Sequence, residues 1–117
     1  ILSVINICDP TIYFQQSKAI ILEESYGELE RLATLLLETP KLHIQIEGHT
    51  DNIGKVEDLY RLSEERAVAL RDFLVKKGCA PSRIETKGFG PQFPINGNDS
   101  EELRSKNRRV EIVITKI

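Results

Sequence analysis

The spacing of hydrophobic positions changes along the chain, and each spacing predicts one kind of element. Between residues 22 and 37, Leu29, Leu32, Ala33 and Leu36 recur at intervals of three and four, which places them on one face of a helix. From 42 to 47 apolar and polar residues alternate, which predicts a strand with one buried face. The same patterns predict a strand near 11–14, a second helix over 57–77, a strand over 83–87, a short helix over 99–105 capped at 99 or 100, and a last strand over 110–115.

These elements follow the order β-α-β-α-β-(α)-β. Strands that alternate with helices favour an α/β (α+β) two-layer sandwich, in which a mixed four-stranded sheet is covered by helices on one face. The length of 117 residues suits one domain, so we assign 1–117 to a single domain with its core over about 11–115. Because the chain starts at Ile1 and not at Met, we expect it to be the C-terminal part of a longer protein.

Composition narrows the classes of partner. With 40% hydrophobic and 29% charged residues and a net charge of -2, the chain has the make-up of a globular domain without a strong field for nucleic acid or anionic membranes. No apolar run approaches the roughly 20 residues of a membrane-spanning helix. Cys8 and Cys79 form either one disulfide or two separate thiols, and the sequence leaves both open.

Arg66 does not suit its position in the second helix. The apolar stripe of that helix consists of Leu59, Leu62, Ala69, Leu70, Phe73 and Leu74. Arg66 falls on or beside this stripe, and a guanidinium group cannot lose its charge to ease burial. It therefore needs carboxylates or carbonyls as partners. Asp51, in the loop that leads into the helix, is the nearest candidate.

Two interpretations of this pair stay open on the residues alone. In one, Asp51 and Arg66 form an internal salt bridge that holds the loop against the helix. In the other, the pair captures a zwitterion, with the arginine on its carboxylate and the aspartate on its ammonium group. Each charged hydrogen bond contributes roughly 1.5–3 kcal/mol, which corresponds to a modest affinity.

Other chemistries find less support. His49 and Asp51 lack a third ligand, because His43 lies at the other end of its strand, so we expect no metal site there. No nucleophile motif accompanies either histidine, and we expect no enzyme and no cofactor. Arg108 alternates in phase with the apolar residues of the last strand, so it is expected to point inward and, with Arg104, to neutralise acids or line the same cleft.

Four short motifs follow one another along the chain: IEGHTDNIG at 46–54, LSEERA at 62–67, GFG at 88–90 and NRRVE at 107–111. Together they resemble the OmpA-like C-terminal, peptidoglycan-associated domain family. The resemblance covers roughly residues 11 to 115. It implies a periplasmic module that binds peptidoglycan non-covalently through the diaminopimelate of the stem peptide. It also implies a parent anchored to the outer membrane as a barrel or lipoprotein, with no nucleic acid partner and no membrane insertion by this domain.

The resemblance assigns ligand binding to Asp51 and Arg66, which fall on the family's aspartate and arginine. Supporting positions are Phe14, Gln15, Gln16, Thr50, Leu59 and Arg108. The sequence departs from the family at Leu59, where an asparagine is usual, and at Leu103, where a glycine is usual. Leu59 favours the alternative function, a structural or protein-interaction domain of the same fold that has lost wall binding.

Overall fold

The computed structural model describes residues 12–13, 18–94, 97 and 100–116. The helices are α1 (Tyr26–Glu38), α2 (Val56–Lys76) and α3 (Glu101–Asn107), and the strands are β1 (Ile12–Tyr13), β2 (His43–Gly48), β3 (Ile84–Gly88) and β4 (Arg109–Lys116). Short 3-10 turns precede α1 at Glu23–Ser25 and β3 at Pro81–Arg83. The predicted bounds differ from these by a few residues, and Ser100 is the cap of α3 because its side chain accepts from the Leu103 amide.

The strands form one mixed sheet in the order β1-β4-β2-β3. β2 and β3 run parallel, while β4 pairs antiparallel with β2 on one side and with β1 on the other. Three strands have five to eight residues, and β1 is an edge strand of two. The predicted two-layer sandwich with a mixed sheet is confirmed.

The core lies between one face of the sheet and the helices α1 and α2. In β2 the buried positions alternate with half-buried ones, as predicted. The core contains Leu29, Leu32, Ala33, Leu36, Leu42, Ile44, Ile46, Ala67, Leu70, Leu74, Cys79, Ile84, Val110, Ile112 and Ile114. The four residues predicted for the face of α1 are all in it. Cys79 is a buried thiol, and Cys8 lies outside the described residues.

The buried line of α2 differs from the predicted stripe. It runs through Leu59, Ser63, Arg66, Ala67, Leu70 and Leu74, whereas Leu62, Ala69 and Phe73 are only partly buried. The reason is a close contact between the helix and two paired glycines of the sheet, Gly48 in β2 and Gly88 in β3. A Cβ at Gly48 would lie 2.0 Å from the Ser63 carbonyl oxygen, so only glycine permits this approach. The contact turns Ser63 toward the sheet and carries Arg66 inward with it.

Among the described residues, no helix is long and apolar enough to cross a membrane.

Candidate functional site

The end of β2 leads into a buried turn that carries the first candidate residues. His49, Thr50 and Asp51 are 2–4% exposed. Their backbone is fixed by neighbouring segments, since the His49 amide donates to the Arg109 carbonyl at 2.8 Å and the Thr50 amide donates to the Gly90 carbonyl at 3.0 Å. The turn is thus held between β4 and the loop after β3. Asp51 emerges from it with a defined orientation.

Arg66 is fully buried beneath this turn, in agreement with its place on the helix. Its Nη1 donates to the carbonyl of His49 and its Nε to the carbonyl of Lys18, both at 3.1 Å. Burial lowers the pKa of Arg66 to about 10, while the charge of Asp51 raises it and that of Arg108 lowers it. Arg66 therefore holds the backbone in front of Asp51 and stabilises the carboxylate through its charge.

Asp51 forms an ion pair with Arg108, a partner that neither interpretation of the Asp51–Arg66 pair had included. Arg108 Nη1 lies 2.9 Å from Asp51 Oδ2, and both side chains are almost fully buried. Asp51 Oδ1 accepts from the amide of Ile53 at 3.0 Å. Arg108, just before β4, reaches Asp51, just after β2, because these two strands are antiparallel neighbours. The predicted inward orientation of Arg108 is confirmed.

A second acid completes the cluster from the solvent side. Glu101 Oε2 accepts from Arg108 Nη2 at 2.6 Å, and the glutamate side chain is 56% exposed. Arg104 Nε lies 3.6 Å from Glu101 Oε1. Burial opposes the charge of Arg108, but the hydrogen bonds to Glu101 and Asp51 outweigh it and raise its pKa. The hydrogen bonds from Arg108 in turn lower the pKa of Glu101. Arg104 and Arg108 thus neutralise acids, as expected.

The profile of the OmpA family matches residues 13–108 of this chain. The chain belongs to the OmpA family. It is 38% identical over 100 residues to outer membrane porin F of Pseudomonas fluorescens, covering 86% of this chain and 31% of the porin. It is 40% identical over 103 residues to peptidoglycan-binding protein ArfA of Mycobacterium tuberculosis, covering 88% of this chain and 32% of ArfA.

The solved structures agree with this membership. The peptidoglycan-associated lipoprotein of Burkholderia pseudomallei superposes with a TM-score of 0.84 at 28% identity, covering 89% of this chain and 88% of that one. This OmpA-family chain spans only about a third of porin F and ArfA. These relatives are a porin, a lipoprotein and a peptidoglycan-binding protein, and not enzymes.

Besides Arg108, the supporting residues of this OmpA-family domain lie in separate places. Thr50 is buried in the turn, where its Oγ1 donates to the Asp51 carbonyl at 2.8 Å. Leu59 is 5% exposed and lines a surface groove with Ile53 and Lys55, beside the turn. The remaining predicted positions, 14–16, lie outside the described residues.

Sequence reasoning missed the surroundings of His49. The ring stacks on Phe89 with 5.6 Å between ring centroids, and it packs against Phe93 in a T-shaped arrangement with 6.4 Å between centroids. Burial and the charge of Arg109 lower the pKa of His49 to about 4, so the imidazole is neutral. The phenylalanines come from the loop after β3, and the arginine begins β4. The spacing of the motifs along the chain does not indicate that these segments meet.

Proposed function

We propose that this domain binds peptidoglycan non-covalently through the diaminopimelate of the stem peptide. We further propose that it attaches an outer-membrane protein or lipoprotein to the cell wall in the periplasm. The observation that carries this proposal is the buried cluster of one aspartate and two arginines, Asp51, Arg66 and Arg108, at the end of β2. The names of ArfA and of the peptidoglycan-associated lipoprotein, both similar to this chain, support the wall as the ligand.

The charges of the cluster suit a zwitterion. Two buried arginines face one buried carboxylate, and the exposed Glu101 supplies the second negative charge. A ligand carboxylate that takes the place of Glu101 on Arg108 preserves this balance. In addition, Arg108 Nε is buried and has no hydrogen-bond partner among the described residues, so it offers a further donor. The ligand's ammonium group then binds Asp51, whose oxygens each accept only one hydrogen bond within the described chain.

Access to the arginine under the turn needs a small rearrangement. Arg66 is 0% exposed, and the Lys18 carbonyl that it binds belongs to the segment after β1. A ligand carboxylate that reaches Arg66 must therefore displace this segment. If the ligand does not reach Arg66, the arginine contributes by binding the His49 carbonyl and by placing its own positive charge near Asp51. Replacing Arg66 and Arg108 separately distinguishes direct contact from positioning.

The test compares two stem peptides that differ at one position. One contains diaminopimelate, and the other contains lysine, which has the ammonium group but lacks the terminal carboxylate. We expect the diaminopimelate peptide to bind at least about tenfold more tightly, since a charged hydrogen bond contributes roughly 1.5–3 kcal/mol. Asp51→Asn and Arg108→Lys should weaken it similarly. Asp72→Asn, an exposed aspartate toward the other end of α2, is the matched control.

Titration by NMR and pull-down on purified sacculi give separate readouts. Equal binding of the two peptides would show that diaminopimelate is not recognised. A folded wild-type domain that is not retained on sacculi would favour the alternative, a structural or protein-interaction domain. That alternative is supported by Leu59, which replaces the family's usual asparagine. Leu59 lines a groove of apolar and charged residues beside Ile53, which is 47% exposed.

A further inference from the structure

We propose that Glu47, His49 and Glu111 form a binding site for a divalent transition-metal ion of the Zn²⁺ type. The site is distinct from the Asp51 cluster and does not depend on peptidoglycan binding. Its three side chains lie on the face of the sheet that points away from α1 and α2. One potential ligand atom from each lies within 4.8 Å of the other two.

The sheet register brings the two carboxylates together. Glu47 of β2 is the direct partner of Glu111 in the antiparallel strand β4. Like charges at such opposed positions destabilise a sheet, and here both glutamates are half-buried. Burial raises the pKa of Glu47, and the charge of Glu111 adds to this rise. A cation between them removes that repulsion.

His49 supplies an independent observation. It is 3% exposed, and neither ring nitrogen has a hydrogen-bond partner among the described residues. A buried polar group without a partner destabilises the folded state, so such groups call for an explanation. Phe89 stacks on the ring and Phe93 packs against it in a T-shaped arrangement, while one ring nitrogen lies within 4.8 Å of a carboxylate oxygen of each glutamate.

The outer partners of the two carboxylates orient them as in metal sites. Gln45 Nε2 donates to Glu47 Oε2 at 2.9 Å, and Arg109 Nε donates to Glu111 Oε2 at 2.6 Å. Each carboxylate thus has one oxygen held by a neighbour and its Oε1 without a partner in the described chain. Metal ligands are commonly supported by hydrogen bonds of this kind.

The ligand set selects the class of ion. One imidazole with two carboxylates suits Zn²⁺ with a fourth position for water, whereas Ca²⁺ and Mg²⁺ prefer oxygen ligands alone. Arg109 and Lys87 place positive charge near the two glutamates. We therefore expect an affinity below that of structural zinc sites built from thiolates. The sequence-based expectation of no metal site considered His49 only with Asp51 and His43, and it did not consider Glu47 and Glu111.

The experiment titrates Zn²⁺ into the full chain after dialysis against chelator, by calorimetry, with Co²⁺ as an absorbing probe. We expect one ion per chain, with binding unaffected by an excess of Mg²⁺ and weakened at least tenfold in Glu47→Gln and in His49→Gln. The control is His43→Gln, the other histidine, at the far end of β2, which should bind as the wild type does.

Circular dichroism checks that each variant folds, and Glu47→Gln decides the result if His49→Gln does not fold. Absence of Zn²⁺ binding by the folded wild type up to millimolar concentration would overturn the proposal, as would equal binding by Glu47→Gln. Retention of Glu47→Gln on sacculi at the wild-type level is expected, which separates this site from the peptidoglycan site.

Discussion

Replacing Gly48 by alanine tests the contact that sets the position of α2. The added Cβ would lie 2.0 Å from the Ser63 carbonyl oxygen and 2.8 Å from its carbonyl carbon. Ordinary contacts of a Cβ begin at 3.4 Å, so the strand and the helix must separate by about 1.4 Å. Both clashing atoms are backbone in the middle of α2, which cannot move as a side chain would.

The expected loss of stability follows from this displacement. Overpacking typically destabilises by about 1–3 kcal/mol when side chains can adjust. Here the whole helix must shift, which also loosens the packing of Ala67 and Leu70 against the sheet, so we expect a loss above about 3 kcal/mol. A domain of this size is stable by only roughly 5–15 kcal/mol. The shift also draws Arg66 away from the His49 carbonyl, so ligand binding should fall with stability.

Urea unfolding followed by far-UV circular dichroism measures the change. The control is Gly27→Ala in α1, where an added Cβ meets nothing within 4 Å and alanine favours the helix by roughly 0.5–1 kcal/mol. If Gly48→Ala unfolds within about 1 kcal/mol of the wild type, the reasoning from close approach is refuted.

Two further predictions concern Arg83, which is partly buried, and His49, which is buried. Arg83 donates to the carbonyls of Leu36, Thr39 and Leu42 at 2.6–3.0 Å and so holds the end of α1 against the start of β2. Arg83→Lys should lower the free energy of unfolding in urea by about 1–3 kcal/mol, because one ammonium group cannot replace the planar guanidinium. A loss no larger than that of Arg61→Lys, at an exposed arginine of α2, would contradict this. Burial lowers the pKa of His49 from 6.5 to about 4, so between these values the unfolded chain binds a proton that the folded chain does not. With chelator present, the stability contributed by neutral His49 should therefore be full above pH 6.5 and be lost as pH falls toward 4, by about 3 kcal/mol at most. His49→Phe should abolish that part of the pH dependence, and an unchanged profile would show that His49 does not cause it.

The sequence by itself determined the order of elements and the layers. Alternation in β2 and the three- and four-residue spacing in α1 are local properties, because a half-buried strand or helix must place its apolar residues on one side. The burial of Arg66 also followed from its own helix. The family motifs named Asp51 and Arg66 for the proposed site, and the family itself is shown by the profile match.

The tertiary structure decided which side chains meet. Asp51 and Arg108 are 57 residues apart, and Glu47 and Glu111 belong to different strands, so only the antiparallel register of β2 with β4 makes them neighbours. The alternation within each strand fixes which face a residue takes, but a shift by two residues keeps that face, so the alternation alone does not determine which residue stands opposite. The offset of the buried line in α2 likewise arose from a glycine contact between two elements. Local spacing therefore identified Arg66 as buried, and the pairing of strands determined its charged neighbours.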